Sequence, residues 1–246
     1  MSDSAITKTA SRKLDKSSTS SSKTKKAKKN KPTLKELYGV DKGDIENSYL
    51  EGGKLIAGVD EVGRGCLAGP VYTAAIILDY DKLYGLDDKT RDLIRDSKKL
   101  SVKQRERILP VIKDIAITYA IQSASVEEVD ELNIIGATFL AMNRSLASLE
   151  RKPDITLVDG NQEVKGFKGK QRTLVKGDSL AYTIAAASIL AKDARDSYMC
   201  EVGEQHPEYG FESHVGYGTK KHIDALAEYG VLDVHRKSFA PVAKHL

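Results

Sequence analysis

An α/β domain with a mixed sheet covered by helices is the fold class predicted by three features of the chain. Two β-rich runs, LIAGV (55–59) and PVYTAAIIL (70–78), come first and are joined through glycines. Strand-like and helix-like segments then alternate, the pattern of a sheet with helices on its faces. The longest helix-like stretch, LAYTIAAASILAKDARDSYM (180–199), is rich in alanine, and small side chains let a helix lie close against a sheet.

Taken in order, residues 33–53 read as a short helix (LKELYG) and a polar connector, with the core beginning near Lys54. The run 55–60 and the Pro-initiated run 70–78 predict two strands joined through the Gly63-Arg64-Gly65 loop. IAITYAIQSA (115–124) predicts a further strand. GATFLAMNRSLASLE (136–150) predicts a helix, because Phe139, Met142, Leu146 and Leu149 recur at helical spacing. ITLVD (155–159) and QRTLVK (171–176) predict short strands, and Gly177-Asp178-Ser179 is a start signal for the Ala-rich helix. HIDALAEYG (222–230) predicts a helix that stops on Gly230.

A length of 246 residues suits one domain of about 200 residues with an appendage. Hydrophobic content of 40% and charge of 30% suit a soluble protein. Cys66 and Cys200 lie far apart with no CxxC spacing, so neither a disulfide framework nor a cysteine zinc site is suggested, and a cytoplasmic or other reducing intracellular location is expected. No apolar run reaches the ~18 residues of a membrane span, and the N-terminus lacks the apolar centre of a secretory signal. Charge is uneven. Residues 1–32 hold ten Lys and Arg against Asp3 and Asp15, a net +8, and the remaining 29 Lys and Arg against 33 Asp and Glu give −4. This Ser- and Lys-rich segment has too little apolar surface to fold and reads as a disordered tail. It is suited to a non-specific hold on a polyanion, or to solubility or targeting.

Asp60 and Glu61 close an apolar run and open on a glycine turn. Adjacent side chains of a strand point to opposite faces, so both serve one site only if the strand ends there, and Gly63 and Gly65 are read as that ending. Asp159 ends the run ITLV, and Asp178 follows TLVKG. The carboxyl ends of strands are where α/β folds build sites. Singly, Asp159 is also a good turn residue and Asp178 a good helix cap. Several like charges at one sheet edge repel unless a cation neutralises them, and Mg²⁺ or Mn²⁺, hard cations that prefer carboxylate oxygen, would do so.

The segments AGVDEVGRG (57–65), DSKKLS (96–101), LVDGN (157–161), VKGDS (175–179), AAASILAKDARD (185–196), HPEYGF (206–211), HVGYGT (214–219) and HRKSFAPV (235–242) together resemble type 2 ribonuclease H, the bacterial ribonuclease HII family. The resemblance covers nearly all of 54–242. It implies an RNase H-like fold, a five-stranded mixed sheet flanked by helices with a C-terminal helical extension, in a catalytic domain of residues 54–246. It implies a metal site of Asp60, Glu61, Asp159 and Asp178 and hydrolysis of the RNA strand of RNA–DNA hybrids. It also implies cutting 5′ of ribonucleotides embedded in duplex DNA, as in ribonucleotide excision repair. Two cations about 4 Å apart would activate water and stabilise the leaving oxygen, giving 3′-hydroxyl and 5′-phosphate ends.

Discrimination rests on the 2′-hydroxyl. The resemblance assigns its recognition to the backbone of Gly63, Arg64 and Gly65, and assigns to Tyr217 a stacking contact with the deoxyribose 3′ of the ribonucleotide. Lys98, Ser188 and Lys192 are candidate phosphate contacts, although lysines on a solvated face are common. Cys66 and Gly218 stand where many relatives carry proline, which is expected to loosen the loop holding Arg64 and to free Tyr217; Asp193 occupies a usually apolar position. His206, His214 and His222 recur every eight residues without an acidic or cysteine partner, so no zinc site is expected. A dinucleotide-binding oxidoreductase is disfavoured because a strand, not a helix, follows Gly63-x-Gly65. A non-catalytic nucleic-acid binder is disfavoured by the four carboxylates, and type 3 ribonuclease H by an N-terminus too short and polar for its folded substrate-binding domain. A monomer is expected.

Overall fold

A computed structural model of the chain describes Lys35 and residues 39–246, so the expected tail and most of the LKELYG helix lie outside the described residues. Five strands, β1 (Ile56–Val62), β2 (Val71–Leu78), β3 (Ala116–Ala124), β4 (Ile155–Asp159) and β5 (Gln171–Leu174), form one sheet in the order β3-β2-β1-β4-β5. The β1–β2 and β2–β3 pairs are antiparallel and the β1–β4 and β4–β5 pairs parallel. The sheet is therefore mixed, as expected. The α-helices are α1 (Asp44–Leu50), α2 (Tyr80–Gly85), α3 (Asp88–Arg91), α4 (Val102–Asp114), α5 (Val126–Ala147), α6 (Gly177–Leu180), α7 (Tyr182–Gln205), α8 (Phe211–His214), α9 (Lys220–Tyr229) and α10 (Ala240–Ala243).

The central strands are covered on both faces, which is why β1 and β2 read as continuous apolar runs and not as alternating ones. Ala57, Val59, Ala75, Ile77 and Val158 pack against Met142 and Leu146 of α5 and Leu149 just after it. Val62, Ala74 and Ile76 face the other way, onto Ala186, Ile189 and Leu190 of α7. At Gly58 the backbone of α7 comes so close that a Cβ would collide with the main chain of Thr183. A separate apolar cluster joins Leu67 and Ala68, in the loop after β1, to Met199 and Val202 of α7 and to Tyr209, Phe211, Leu226 and Val242. The C-terminal extension thus shares its core with the glycine loop.

Three expectations change. The supposed polar connector contains α1, whose Ile45 and Glu46 are buried; seven residues offer too short an apolar stripe to show in the pattern. The helix expected at 136–150 begins at Val126, because Ser125 and Glu128 make a reciprocal capping box. It kinks at Asn133 (φ 59°), whose side chain accepts from the N–H groups of Ile135 and Gly136 and restarts the helix. Gly177-Asp178-Ser179 forms its own turn, α6, and the Ala-rich helix starts afresh at Tyr182.

Candidate active site

β1 does not end at its carboxylates. Pairing with β2 continues through Asp60↔Ala74, Glu61↔Thr73 and Val62↔Tyr72, so the two side chains take opposite faces of the sheet. Asp60 shares the face of Val62, turned to α7, and is 5% exposed. Glu61 shares the face of Val59, turned to α5, and pairs with Arg64 at 3.1 Å. What ends instead is the neighbour: pairing with β4 stops at Val59↔Val158, and Asp159 is its last residue. Past that point the edge of β1 is open, and Glu61, Arg64 and Asp159 line a cleft of about 90 Å³ with Thr138, Phe139 and Met142.

Asp159 and Asp178 come together through the turn of α6: Oδ1 of Asp159 accepts from the Gly177 N–H at 2.7 Å. Burial pushes the proton affinity of Asp60 well above the usual carboxylate range, and the charges of Glu61 and Asp159 push it further, opposed by hydrogen bonds from Ser188 and from the Glu61 N–H. Asp159 is raised to about 6, first by burial and then by Asp178. Asp178 is raised by burial and by Asp96. Three carboxyls raised together mark a concentration of negative charge. Among the described residues no three His, Cys, Asp or Glu side chains stand close enough together to hold a metal ion.

The glycine loop is held by two arginines that the sequence reading gave no role. Arg195 of α7, fully buried, donates to the carbonyls of Pro70 (3.2 Å), Ala68 (3.0 Å) and Val215 (2.8 Å). Arg236, also fully buried, donates to Gly69 (2.8 and 3.0 Å) and to Arg64 (3.0 Å). Gly63, at φ 91°, is required by this packing, since a Cβ would strike the Arg195 side chain. Nothing lies within 4 Å of where a Cβ of Gly65 would be, so that residue leaves open backbone beside Arg64. Cys66, expected to loosen the loop, is buried and makes an isolated bridge with Tyr217, and Leu67 N–H donates to Gly216 at 2.8 Å.

Tyr217 is 37% exposed at the rim. Behind it runs a histidine chain whose tautomers follow from its ends. The Leu232 N–H donates to Nδ1 of His235 (2.9 Å), leaving the proton on Nε2; that nitrogen faces Nε2 of His222 at 3.1 Å, so His222 carries its proton on Nδ1 and donates to the Tyr217 carbonyl at 3.0 Å. His214 stacks on His222, with centroids 4.7 Å apart. His206, in the same spacing, stands apart, 3.6 Å from Glu208.

The remaining candidates separate. Ser188 is buried and bonds to Ser97 (2.9 Å) as well as Asp60, so it supports a carboxylate and is not open to phosphate. Lys192 pairs with Asp196 at 2.5 Å, which also binds Arg105. Lys98 is exposed, and burial raises the proton affinity of the Tyr217 hydroxyl against a small opposing effect of the Lys98 charge. Arg195 and Arg236 both sit inside blocks quoted for the resemblance, AAASILAKDARD and HRKSFAPV, but were given no role there.

Residues 57–242 match the family Ribonuclease HII. A curated Ribonuclease HII of Endomicrobium trichonymphae is 47% identical over 196 residues, 80% of this chain and 90% of its own. The crystal structure of ribonuclease H2 from Pyrococcus horikoshii OT3 aligns with a TM-score of 0.67 at 25% identity, covering 77% of this chain and 95% of that one. Bst-RNase HIII in complex with Mn²⁺ aligns with a TM-score of 0.60 at 21% identity over 78% and 69%, a likeness of fold. With the matched segment spanning every strand of the sheet and both arginines of the loop, the chain belongs to the ribonuclease HII family, nucleases that cleave the RNA of RNA–DNA hybrids.

Proposed function

We propose that this ribonuclease H also cuts on the 5′ side of single ribonucleotides embedded in duplex DNA, leaving 3′-hydroxyl and 5′-phosphate ends, and that Asp60, Glu61, Asp159 and Asp178 hold two divalent cations for the reaction. The observation that carries the reading is the rise in proton affinity shared by Asp60, Asp159 and Asp178 at the open edge of β1. The donors are all carboxylate oxygen, which fits Mg²⁺ or Mn²⁺, and Mn²⁺ is bound in the structure of Bst-RNase HIII. Bound there, the ions would supply the charge that offsets the carboxylates and acidify an attacking water.

The chain's own groups do the rest. Ser188 and the Glu61 N–H orient Asp60, and the Gly177 N–H orients Asp159. Arg195 and Arg236 hold the loop so that Arg64 and the open backbone at Gly65 meet the sugar edge, where a 2′-hydroxyl distinguishes RNA from DNA. Tyr217, fixed through its carbonyl, presents its ring to the adjoining deoxyribose. Lys98 is exposed and available to a phosphate. The chain's two free thiols suit a reducing intracellular compartment. Among the described residues no helix is long and apolar enough to cross a membrane.

The test is a duplex carrying one embedded ribonucleotide, incubated with and without Mg²⁺ or Mn²⁺. A single metal-dependent cut 5′ of the ribonucleotide is expected. Cleavage of hybrids with no cleavage of this duplex would restrict the activity to hybrids, and cleavage in chelator would overturn the metal site.

A further inference from the structure

Residues 41–47 precede the family-matched segment 57–242, yet they run along residues 178–183, the stretch that carries Asp178 and opens α7. The Lys42 ammonium donates to the Asp178 carbonyl at 2.9 Å and to the Ile94 carbonyl at 2.8 Å, tying together two loops at the site. The Gly43 N–H donates to the Leu180 carbonyl at 2.9 Å. Glu46 is fully buried. Its carboxylate accepts from the N–H groups of Tyr182 and Thr183, from the Thr183 hydroxyl and from the Tyr80 hydroxyl, at 2.8–2.9 Å.

These bonds replace what the local sequence lacks. The N-cap position of α7 is Ala181, which has no side chain to cap with, and a 24-residue helix leaves its first N–H groups unsatisfied and its N-terminus partly positive. Glu46 supplies the missing cap from a distant part of the chain. The turn that carries Asp178 has no side-chain cap of its own: the cap residue of α6, Lys176, is in the left-handed conformation and makes no side-chain cap bond. The position of Asp178 therefore depends on its backbone, and the side chain that grips that backbone is Lys42.

We propose that Lys42 and Glu46 are positioning residues for Asp178, so that the segment before the family-matched domain completes the active site. This rests on the assignment of Asp178 as a metal-holding residue. Lys42→Met is expected to lower kcat about 10- to 100-fold, the scale of a small displacement at a catalytic group. KM for a hybrid should stay within about twofold, because the substrate-reading loop is untouched. Mn²⁺ binding measured by calorimetry should weaken several-fold, and Lys42→Arg should recover most of both losses.

Asn47→Ala is the control. It removes another anchor of α1, the 2.7 Å bond from the Tyr84 hydroxyl, while keeping every hydrogen bond from 42–46 to 178–183, and should lower Tm while leaving kcat and Mn²⁺ affinity in place. Wild-type kcat and Mn²⁺ affinity in Lys42→Met would overturn the proposal. So would an equal loss of both in Asn47→Ala at the same Tm, since the segment would then act through stability alone. If Lys42→Met does not fold, Glu46→Gln, which keeps the volume and an acceptor oxygen, is judged by the same two outcomes. Asp178→Asn separates the premises: full turnover in that variant overturns the role of Asp178 itself, whatever Lys42 does.

Discussion

Asp60 is the most confined of the four carboxylates, under α7 with Ser188 and between two other negative charges. Asp60→Asn or Asp159→Asn should leave a folded protein that still binds duplex and cleaves it several orders of magnitude more slowly, because a neutral amide is a poor ligand for a hard cation. Single-turnover cleavage in Mg²⁺ checks this, and near-wild-type rates would remove these residues from the site. Tyr217→Ala should impair cutting at a single embedded ribonucleotide more than cutting within a long hybrid, since only the former always places deoxyribose beside the ring. Stacking of bases on aromatic rings is worth ~1–3 kcal/mol, an upper guide for a sugar contact. Equal losses on the two substrates would make Tyr217 a packing residue. These side chains were legible because each sits at a strand exit or in a recurring block. The geometry joining Asp60 to Glu61 was not, since the ending that matters is that of β4, and strand pairing is invisible in one run of residues.

The strands, the Ala-rich helix and the Gly230 stop were readable from periodicity and punctuation. The capping of α7 was not, because its cap lies more than 130 residues away in sequence, on a helix whose buried members are Ile45 and Glu46. The clamp on the glycine loop was equally hidden: Arg195 and Arg236 look like any surface arginine until the carbonyls they meet are known. The C-terminal extension makes its own prediction. Burial draws His235 down to about 4 from an ordinary 6.5, and lowers His222 as well. Between pH 6.5 and 4 the unfolded chain therefore binds the proton that the folded chain refuses, so this term removes stability as pH falls through that window, by at most about 3 kcal/mol. The raised carboxylates act in the opposite sense, gaining stability as they take up protons below about 6. The histidine term is isolated by comparing wild type with His235→Gln in urea unfolding: the stability advantage of wild type should shrink from pH 6.5 to 4. A difference that stays constant across the window would mean that His235 does not titrate on unfolding.

The chain carries its charge in two unlike forms. Its N-terminal 32 residues hold +8 and the remainder −4, and nine of the ten cations in that N-terminal segment are lysines. Deleting residues 1–32 should weaken duplex binding at low salt and flatten its salt dependence, since each phosphate neutralised contributes about −0.9 to the slope of log K against log salt. Turnover at saturating substrate should survive. Titrating full-length and truncated protein across a salt series checks this, and superimposable slopes would mean that the tail does not touch nucleic acid. Arg195 and Arg236 are charge of the other form. Their bonds go to main-chain carbonyls and not to carboxylates, and Arg236, drawn down to about 10 by burial, stays protonated at neutral pH. Dissolved ions screen exposed charges beyond about 8 Å at physiological strength and reach buried ones much less. Directly beneath the Arg64 loop the molecule thus keeps two positive charges that added salt weakens much less than it weakens charge on the surface, so what they contribute to holding a phosphate backbone persists where exposed cations have lost their grip.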